Sequence, residues 1–145
     1  DWHLNEYYFH QGLQRLVRDL NLLYKKEPAL YEVDFRPSGF EWIDCSDWES
    51  SMVSFIRWSK NYKTFIMVVC NFTPVLRDNY RVGAPFKGWY KEILNSDAEM
   101  YGGGNKGNYG RIHTDDIPWM NRPCSLNLTI PPLGVLYLKM DKNPQ

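Results

Sequence analysis

The hydrophobic period of the chain changes once, from 3.6 residues to 2, and this change limits the folds open to it. Residues 10–26 read HQGLQRLVRDLNLLYKK, and their apolar side chains recur at the spacing of one helix face: Leu13, Leu16, Val17, Leu20, Leu23 and Tyr24. Lys25 and Lys26 lie where the helix dipole favours positive charge, and Pro28 prevents continuation. The pattern predicts one amphipathic helix over 10–26.

After this helix, short apolar segments of period 2 are separated by stretches rich in Pro, Gly, Asn and Asp. Segment 63–72, KTFIMVVCNF, is apolar almost throughout and predicts a central strand that is covered on both faces, with Cys70 buried. The other predicted strands lie near 40–45, 51–58, 80–82, 89–94, 126–130 and 135–140. One helix followed by seven or eight short strands predicts a mostly β fold, an antiparallel β-sandwich with an appended helix.

Residues 102–107 spell GGGNKG, which matches the G-x-G-x-x-G pattern of nucleotide-binding loops. That pattern binds phosphate only where a strand enters the first glycine and a helix begins at the last one. Here a turn-like segment precedes the glycines, and the segment that follows them lacks helical periodicity. The run therefore predicts a flexible surface loop between strands and no phosphate site.

Charge and cysteine content exclude several classes of function. Seventeen basic residues balance seventeen acidic ones, so no net field attracts nucleic acid or an anionic membrane. Apolar runs are far too short to cross a bilayer. The three cysteines, Cys45, Cys70 and Cys124, lack the spacing of a zinc site, and their odd number argues against a disulfide framework. No cofactor or metal is expected, and a reducing compartment is the simpler interpretation.

Two pairs of carboxylates have the i, i+2 spacing that places both side chains on one strand face. They are Asp47 with Glu49 and Asp97 with Glu99, and glycoside chemistry needs such a facing pair. Both pairs lie at predicted strand ends, where solvated turn acids are common. We therefore expect no catalytic residue among them.

Aromatic residues make up 16% of the chain, which suits both a β-rich core and a sugar-stacking surface. Four of them are candidate sugar contacts: Trp2, Trp89, Tyr90 and Trp119. Core or rim packing is the competing interpretation for each. Apart from Trp42 and its neighbours, no strand face shows a spaced aromatic pair.

Longer stretches of the chain resemble bacterial 1,4-α-glucan (glycogen) branching enzymes of the α-amylase superfamily. The resemblance runs in order through the whole chain, in segments 1–4, 10–21, 27–30, 39–43, 69–75, 92–97 and 125–133. Leu76, Met100, Lys106 and Tyr109 depart from the pattern of that family.

The resemblance implies two parts. Residues 1–31 look like the last loop and helix of a catalytic (β/α)₈ barrel, and residues 32–145 look like the C-terminal all-β sandwich. Members of the family cut an α-1,4-linked glucan and transfer it to a glucose 6-hydroxyl through a covalent intermediate. The carboxylates that do so lie upstream of everything matched here, so the resemblance implies a non-catalytic piece of a cytoplasmic enzyme.

Two functions remain open for this piece: it stabilises the catalytic barrel, or it is a glucan-binding module. Without the neighbouring elements of the barrel, the apolar face of helix 10–26 must pack against another surface, either the sandwich or a second copy of the chain. We expect a dimer through Leu13, Leu16, Leu20 and Leu23, since a lone helix of this length is marginal in water.

Overall fold

A computed structural model of the protein describes residues 1–141. Two α-helices begin the fold, α1 (Tyr8–Lys26) and α2 (Pro28–Tyr31), after a 3₁₀ turn at Trp2–Glu6. Eight strands follow: β1 (Phe40–Asp44), β2 (Met52–Trp58), β3 (Phe65–Asn71), β4 (Arg77–Ala84), β5 (Trp89–Asn95), β6 (Arg111–His113), β7 (Cys124–Ile130) and β8 (Val135–Met140). The last four positions of the predicted 32–145 region lie outside the described residues.

All strand pairs are antiparallel, and the strands form two sheets. The larger sheet has the order β1-β2-β3-β8-β5-β6, and the smaller one pairs β4 with β7. Alternate residues of β2 and β7 point into a common core, where Ile56, Leu126 and Leu128 are fully buried. The predicted mostly β antiparallel fold with one main helix is confirmed.

Strand β3 is buried at every position, as its unbroken apolar sequence predicts. Met67 and Val69 face the core between the sheets, whereas Ile66, Val68 and Cys70 belong to a second cluster on the outer face. Ala29 and Leu30 of α2 cover that outer cluster. The predicted burial of Cys70 is confirmed, and the outer cluster is the place where the helical segment meets the sandwich.

Two local features differ from the sequence predictions. Pro28 ends α1 but also begins α2, because a proline at the first helical position lacks only an N–H that would be unpaired there anyway. Strand β6 was not predicted, since three residues are too few to display a period of 2. It forms through its register with β5, in which Tyr90 lies opposite Ile112.

Candidate functional site

Helix α1 is seated on the 3₁₀ turn Glu99–Tyr101, which follows β5. Gly12 is the buried residue of the helix, and it lies directly against the backbone of Tyr101. Three side chains reinforce this seat: the Tyr8 hydroxyl donates to the Glu99 carbonyl (3.1 Å), the Arg15 guanidinium to the Met100 carbonyl (3.1 Å), and the Tyr101 hydroxyl to Asp19 (2.8 Å). The missing Cβ of Gly12 is what lets the two backbones approach.

The Asp19–Tyr101 contact changes the pKa of both groups. Hydrogen bonds from Arg18 and then from Tyr101 lower the pKa of Asp19 below its ordinary value. Burial, and then the bond to Asp19, raises the pKa of the Tyr101 hydroxyl to about 12. The tyrosine therefore remains a hydrogen-bond donor to Asp19 throughout the physiological pH range.

A second set of contacts fixes the C-terminal end of α1. The buried Glu27 carboxylate accepts from the Lys139 ammonium of β8 at 2.6 Å. The Tyr24 hydroxyl donates to Asp34 (2.6 Å), and the other oxygen of Asp34 pairs with Arg57 of β2. Arg57 also donates to the Gly39 carbonyl (3.1 Å). Charged hydrogen bonds of this kind are the stronger ones, so both ends of the helix are held on the sandwich.

The sandwich covers only part of the predicted apolar stripe. Leu23 packs against the outer cluster of the large sheet, and Leu16 and Leu20 are half-buried. Leu13 and Val17 remain 59% and 50% exposed. The apolar arc of the helix is therefore wider than the surface on which it sits. The stripe of four leucines does not form one open surface, because Leu16, Leu20 and Leu23 are half-buried and only Leu13 is exposed.

Further apolar side chains extend this uncovered region, which we call the open helix face: Trp2, Phe9, Leu13, Val17 and Tyr24, all at least 46% exposed. A shallow groove of ≈ 440 Å³ runs beside it and is lined by Trp2, Leu13 and Val17 among others. Trp2, Leu13 and Val17 line the same groove, and a group of exposed apolar side chains of this kind is typical of an interaction surface.

The four aromatic candidates do not meet in one place. Tyr90 is fully buried; its ring packs against Phe65 and its hydroxyl donates to the Phe86 carbonyl (2.9 Å). The prediction that Tyr90 contacts glucan is therefore wrong, because alternation along β5 points it into the core. Burial also raises the pKa of its hydroxyl.

Trp2, Trp89 and Trp119 are exposed by 86%, 44% and 48%, but they lie on three separate elements. One face of Trp89 is already occupied by the Arg111 guanidinium, whose carbon lies 4.2 Å from the ring centroid. Within the described residues no ring contact joins any two of the three tryptophans.

An aromatic surface that the candidate set omitted lies on the edge of the large sheet. Trp42 and Phe40 share a face of β1 with ring centroids 4.7 Å apart, and Phe55 of β2 stacks on Phe40 at 5.1 Å. Trp42 is 51% exposed. Phe40 and Trp42 are spaced i, i+2, which was visible in the sequence. The contribution of Phe55 was not visible, because it depends on the register that sets Trp42 opposite Phe55.

The aspartate of each candidate carboxylate pair accepts hydrogen bonds from within the fold. Asp47 accepts from the Tyr80 hydroxyl (2.6 Å) and from the Ser50 backbone (3.1 Å), and the Tyr80 bond is the main reason why the pKa of Asp47 is lowered. Among residues 1–141, no three potential ligands come together in a way that could hold a metal ion. In that same part of the chain, no helix is long and apolar enough to cross a membrane.

The glycine-rich run binds a carboxylate of its own chain. The backbone N–H groups of Gly104 and Lys106 each donate to one oxygen of Asp97 at 2.9 Å, and the N–H of Asn105 donates to the Asp97 carbonyl at 2.6 Å. Successive N–H groups of this kind form an anion-binding concavity, and Asp97 fills it. The run lies in a loop between β5 and β6, as predicted, and its bonds to Asp97 hold the backbone of that loop in place.

Fold and surfaces together define a class: an all-β domain preceded by a helix with one largely uncovered apolar face. The family description "Alpha amylase, C-terminal all-beta domain" matches residues 42–141. The chain belongs to this family of α-amylase C-terminal all-β domains. The predicted resemblance to the α-amylase superfamily is thereby confirmed.

Among curated proteins the chain is similar to bacterial enzymes named 1,4-alpha-glucan branching enzyme GlgB. It is 57% identical to that of Aquifex aeolicus over 96% of this chain and 22% of the relative. It is 54% identical to that of Thermosynechococcus vestitus over 98% of this chain and 18% of the relative. For Synechococcus elongatus the identity is 52% over 100% of this chain and 19% of the relative. The chain thus spans about a fifth of the length of the relatives that it matches.

Proposed function

We propose that the chain is the non-catalytic β-sandwich part of a glycogen branching enzyme and that it stabilises a catalytic barrel through α1. The parent enzyme would transfer α-1,4-glucan segments to a glucose 6-hydroxyl and form α-1,6 branches. The similarity to named branching enzymes over nearly the whole chain supports the parentage. Three free cysteines, Cys45, Cys70 and Cys124, agree with a reducing, cytoplasmic location.

The observation that carries the proposed role is the open helix face. Helix α1 is held at both ends by hydrogen bonds to the sandwich, yet Leu13 and Val17 remain about half exposed. Fully burying such a side chain contributes about 1.5–3 kcal/mol, so about half of that remains available at each position. A barrel packed over this face would gain it, with residues 1–31 acting as the last loop and helix of the barrel and residues 32–145 as the sandwich domain.

A chimera tests this role. The matching segment of the Aquifex aeolicus enzyme is replaced by this chain, and branching is followed by the iodine stain of amylose together with thermal unfolding. We expect an active chimera, and we expect Leu13→Glu to reduce its melting temperature more than it does in the isolated chain. Leu22→Glu is the matched control, because Leu22 is 58% exposed and lies nine residues, or two and a half turns, away on the opposite side of α1.

A chimera that tolerates Leu13→Glu as well as Leu22→Glu would contradict barrel docking through this face. The alternative to a barrel is a second copy of the chain that packs on the open helix face. The dimer proposed for Leu13, Leu16, Leu20 and Leu23 would then be centred on Leu13 and Val17, since the other three leucines are half-buried. Light scattering over a hundredfold dilution of the isolated chain distinguishes this dimer from a monomer.

The aromatic surface Phe40–Trp42–Phe55 favours a second function, glucan binding by the sandwich itself. Phe40 and Trp42 are exposed on β1, and the half-buried Phe55 of β2 packs against both. The Trp42 ring is nearly perpendicular to the two phenyl rings and offers a face on which a sugar ring packs. Trp42→Ala should then weaken binding of maltoheptaose by the isolated chain, as measured by calorimetry, without changing its unfolding temperature by more than a few degrees. Trp2, Trp89 and Trp119 remain candidate contacts, and their alanine variants are the parallel measurements.

A further inference from the structure

A polar cleft lies away from both the open helix face and the Trp42 surface. It has a volume of ≈ 520 Å³, within the range of small-molecule sites, and is only partly open to solvent. The cleft lies between the glycine-rich run, strand β5 and the neighbouring ends of β4 and β7. We call it the glycine-loop cleft and define it by six lining residues: Asp78, Glu92, Asn95, Asn105, Lys106 and Tyr109.

The walls of this cleft are fixed by internal hydrogen bonds. Buried Asn108 ties the loop to β7, since its amide donates to the Thr129 carbonyl (2.9 Å) and accepts from the Thr129 N–H (2.8 Å). Glu92 accepts from both the backbone and the side chain of Asn108, and the Asn95 amide donates to the Lys106 carbonyl (2.7 Å). A ligand would therefore meet pre-formed cleft walls and would have to order only the exposed side chains at the rim.

Tyr109 lies at the rim of the cleft, and its backbone conformation is unfavourable for a tyrosine. Its φ is 55°, in the left-handed region that favours glycine, and its side chain is fully exposed. A bulky side chain is unfavourable in that region, and an aromatic ring wholly in water contributes no burial. Folding stability thus gives no reason for a tyrosine here, whereas a ring presented beside a polar cleft suits ligand contact.

The polar groups that the cleft offers to a ligand include both hydrogen-bond donors and acceptors. Lys106 offers an ammonium donor, and Asn105 offers an amide that both donates and accepts. Asp78 uses one oxygen for the Thr129 hydroxyl (2.9 Å), and within the described residues its other oxygen makes no hydrogen bond. The two carboxylates disfavour an anionic ligand, and the ammonium disfavours a divalent cation. A neutral ligand whose hydroxyls both donate and accept, and whose ring has an apolar face, fits this set.

We infer that the glycine-loop cleft binds a glucose unit of an α-glucan chain, with Tyr109 stacked on the sugar ring and with Lys106, Asn105 and Asp78 bonded to its hydroxyls. The identification of the sugar as α-glucan rests on the proposed branching-enzyme parentage. The cleft itself rests on the geometry of this chain. Its site differs from the aromatic surface around Trp42 and from every tryptophan that the sequence put forward.

Calorimetric titration of the 145-residue chain with maltoheptaose tests the inference. Tyr109→Gly removes the ring and relieves the left-handed backbone, so affinity should fall about tenfold while the unfolding temperature stays the same or rises. Tyr109→Phe keeps the ring that stacks on the sugar. Its affinity for maltoheptaose should therefore lie within about twofold of that of the unchanged chain. Lys106→Ala should weaken binding without loss of the fold, because only the backbone of Lys106 supports the loop.

Unchanged affinity in Tyr109→Gly would overturn the inference, and so would binding that Trp42→Ala alone abolishes. Absence of any binding at about 10 mM maltoheptaose would overturn it as well. None of these results touches the barrel-stabilising role, because the chimera experiment measures that role through Leu13 and not through Tyr109. A fall in the unfolding temperature of Tyr109→Gly would contradict the argument that the ring is dispensable for folding.

Discussion

Gly12→Ala tests whether the seat of α1 on the Glu99–Tyr101 turn holds the helix. In a solvated helix interior this substitution stabilises by about 1 kcal/mol, because alanine is the better helix former. Here a Cβ would lie 2.6 Å from the Tyr101 carbonyl carbon, closer still to its oxygen, and 3.3 Å from the Gly102 nitrogen. Both neighbours are backbone, so neither can move aside by a rotamer change.

The expected magnitude follows from the two opposing effects. Overpacking costs about 1–3 kcal/mol. Lifting the helix also lengthens the three hydrogen bonds that Tyr8, Arg15 and Tyr101 make at the seat, each contributing about 1 kcal/mol. Partial loss of these bonds offsets the helix-propensity gain of about 1 kcal/mol, so we expect a net destabilisation of about 1–3 kcal/mol, the cost of overpacking. For a chain of this size that corresponds to a fall in Tm of roughly 2–12 °C.

Urea unfolding followed by far-UV circular dichroism measures the change as a shift in midpoint at constant slope. Gln14→Ala, two positions along on an exposed part of the helix, is the control and should be neutral or slightly stabilising. Tyr101→Phe should cost less in the Gly12→Ala background than alone, since both changes act on one contact. A Gly12→Ala variant that is more stable by about 1 kcal/mol would refute the reasoning, because it would show that α1 is not seated on this turn.

Four further outcomes are expected. The isolated chain should leave the iodine stain of amylose unchanged, because the branching carboxylates are not expected on it; turnover that survives rigorous purification would contradict this. Val68→Asp should prevent folding, since an unpaired charge in the fully enclosed β3 costs several kcal/mol out of a free energy of unfolding of roughly 5–15 kcal/mol. In the native chain, a bulky thiol reagent should label exposed Cys45 but not buried Cys70. The lowered pKa of Asp47 means that its stabilising bond is intact above the ordinary value of 3.8 and is lost as pH falls through the lowered pKa. Asp47→Asn should therefore flatten acid unfolding below about pH 4, and an unchanged pH profile would show that the Tyr80 bond contributes nothing.

The sequence by itself determined the elements that depend on local periodicity. The 3.6-residue pattern of 10–26 predicted α1, and the unbroken apolar run around Ile66, Val68 and Cys70 predicted a strand buried on both faces. Hydrophobic burial enforces such patterns position by position, so they can be read without knowing any partner. The longer matches to branching enzymes likewise indicated the class of the domain before its strands were placed.

Only the tertiary structure decided which apolar residues remain exposed and which polar groups meet. The helical stripe is continuous in sequence, but the sandwich covers Leu23 and leaves Leu13 exposed, because the close contact of Gly12 with the Tyr101 backbone fixes which side of the helix faces the sandwich. Tyr90 and Trp89 are neighbours in sequence, yet strand alternation buries one and exposes the other. Asp97 and Asn108 fix the glycine-rich run through contacts that no local pattern encodes. Surfaces of this kind are formed by residues from distant segments of the chain, so the hydrophobic periodicity of any one segment does not predict them.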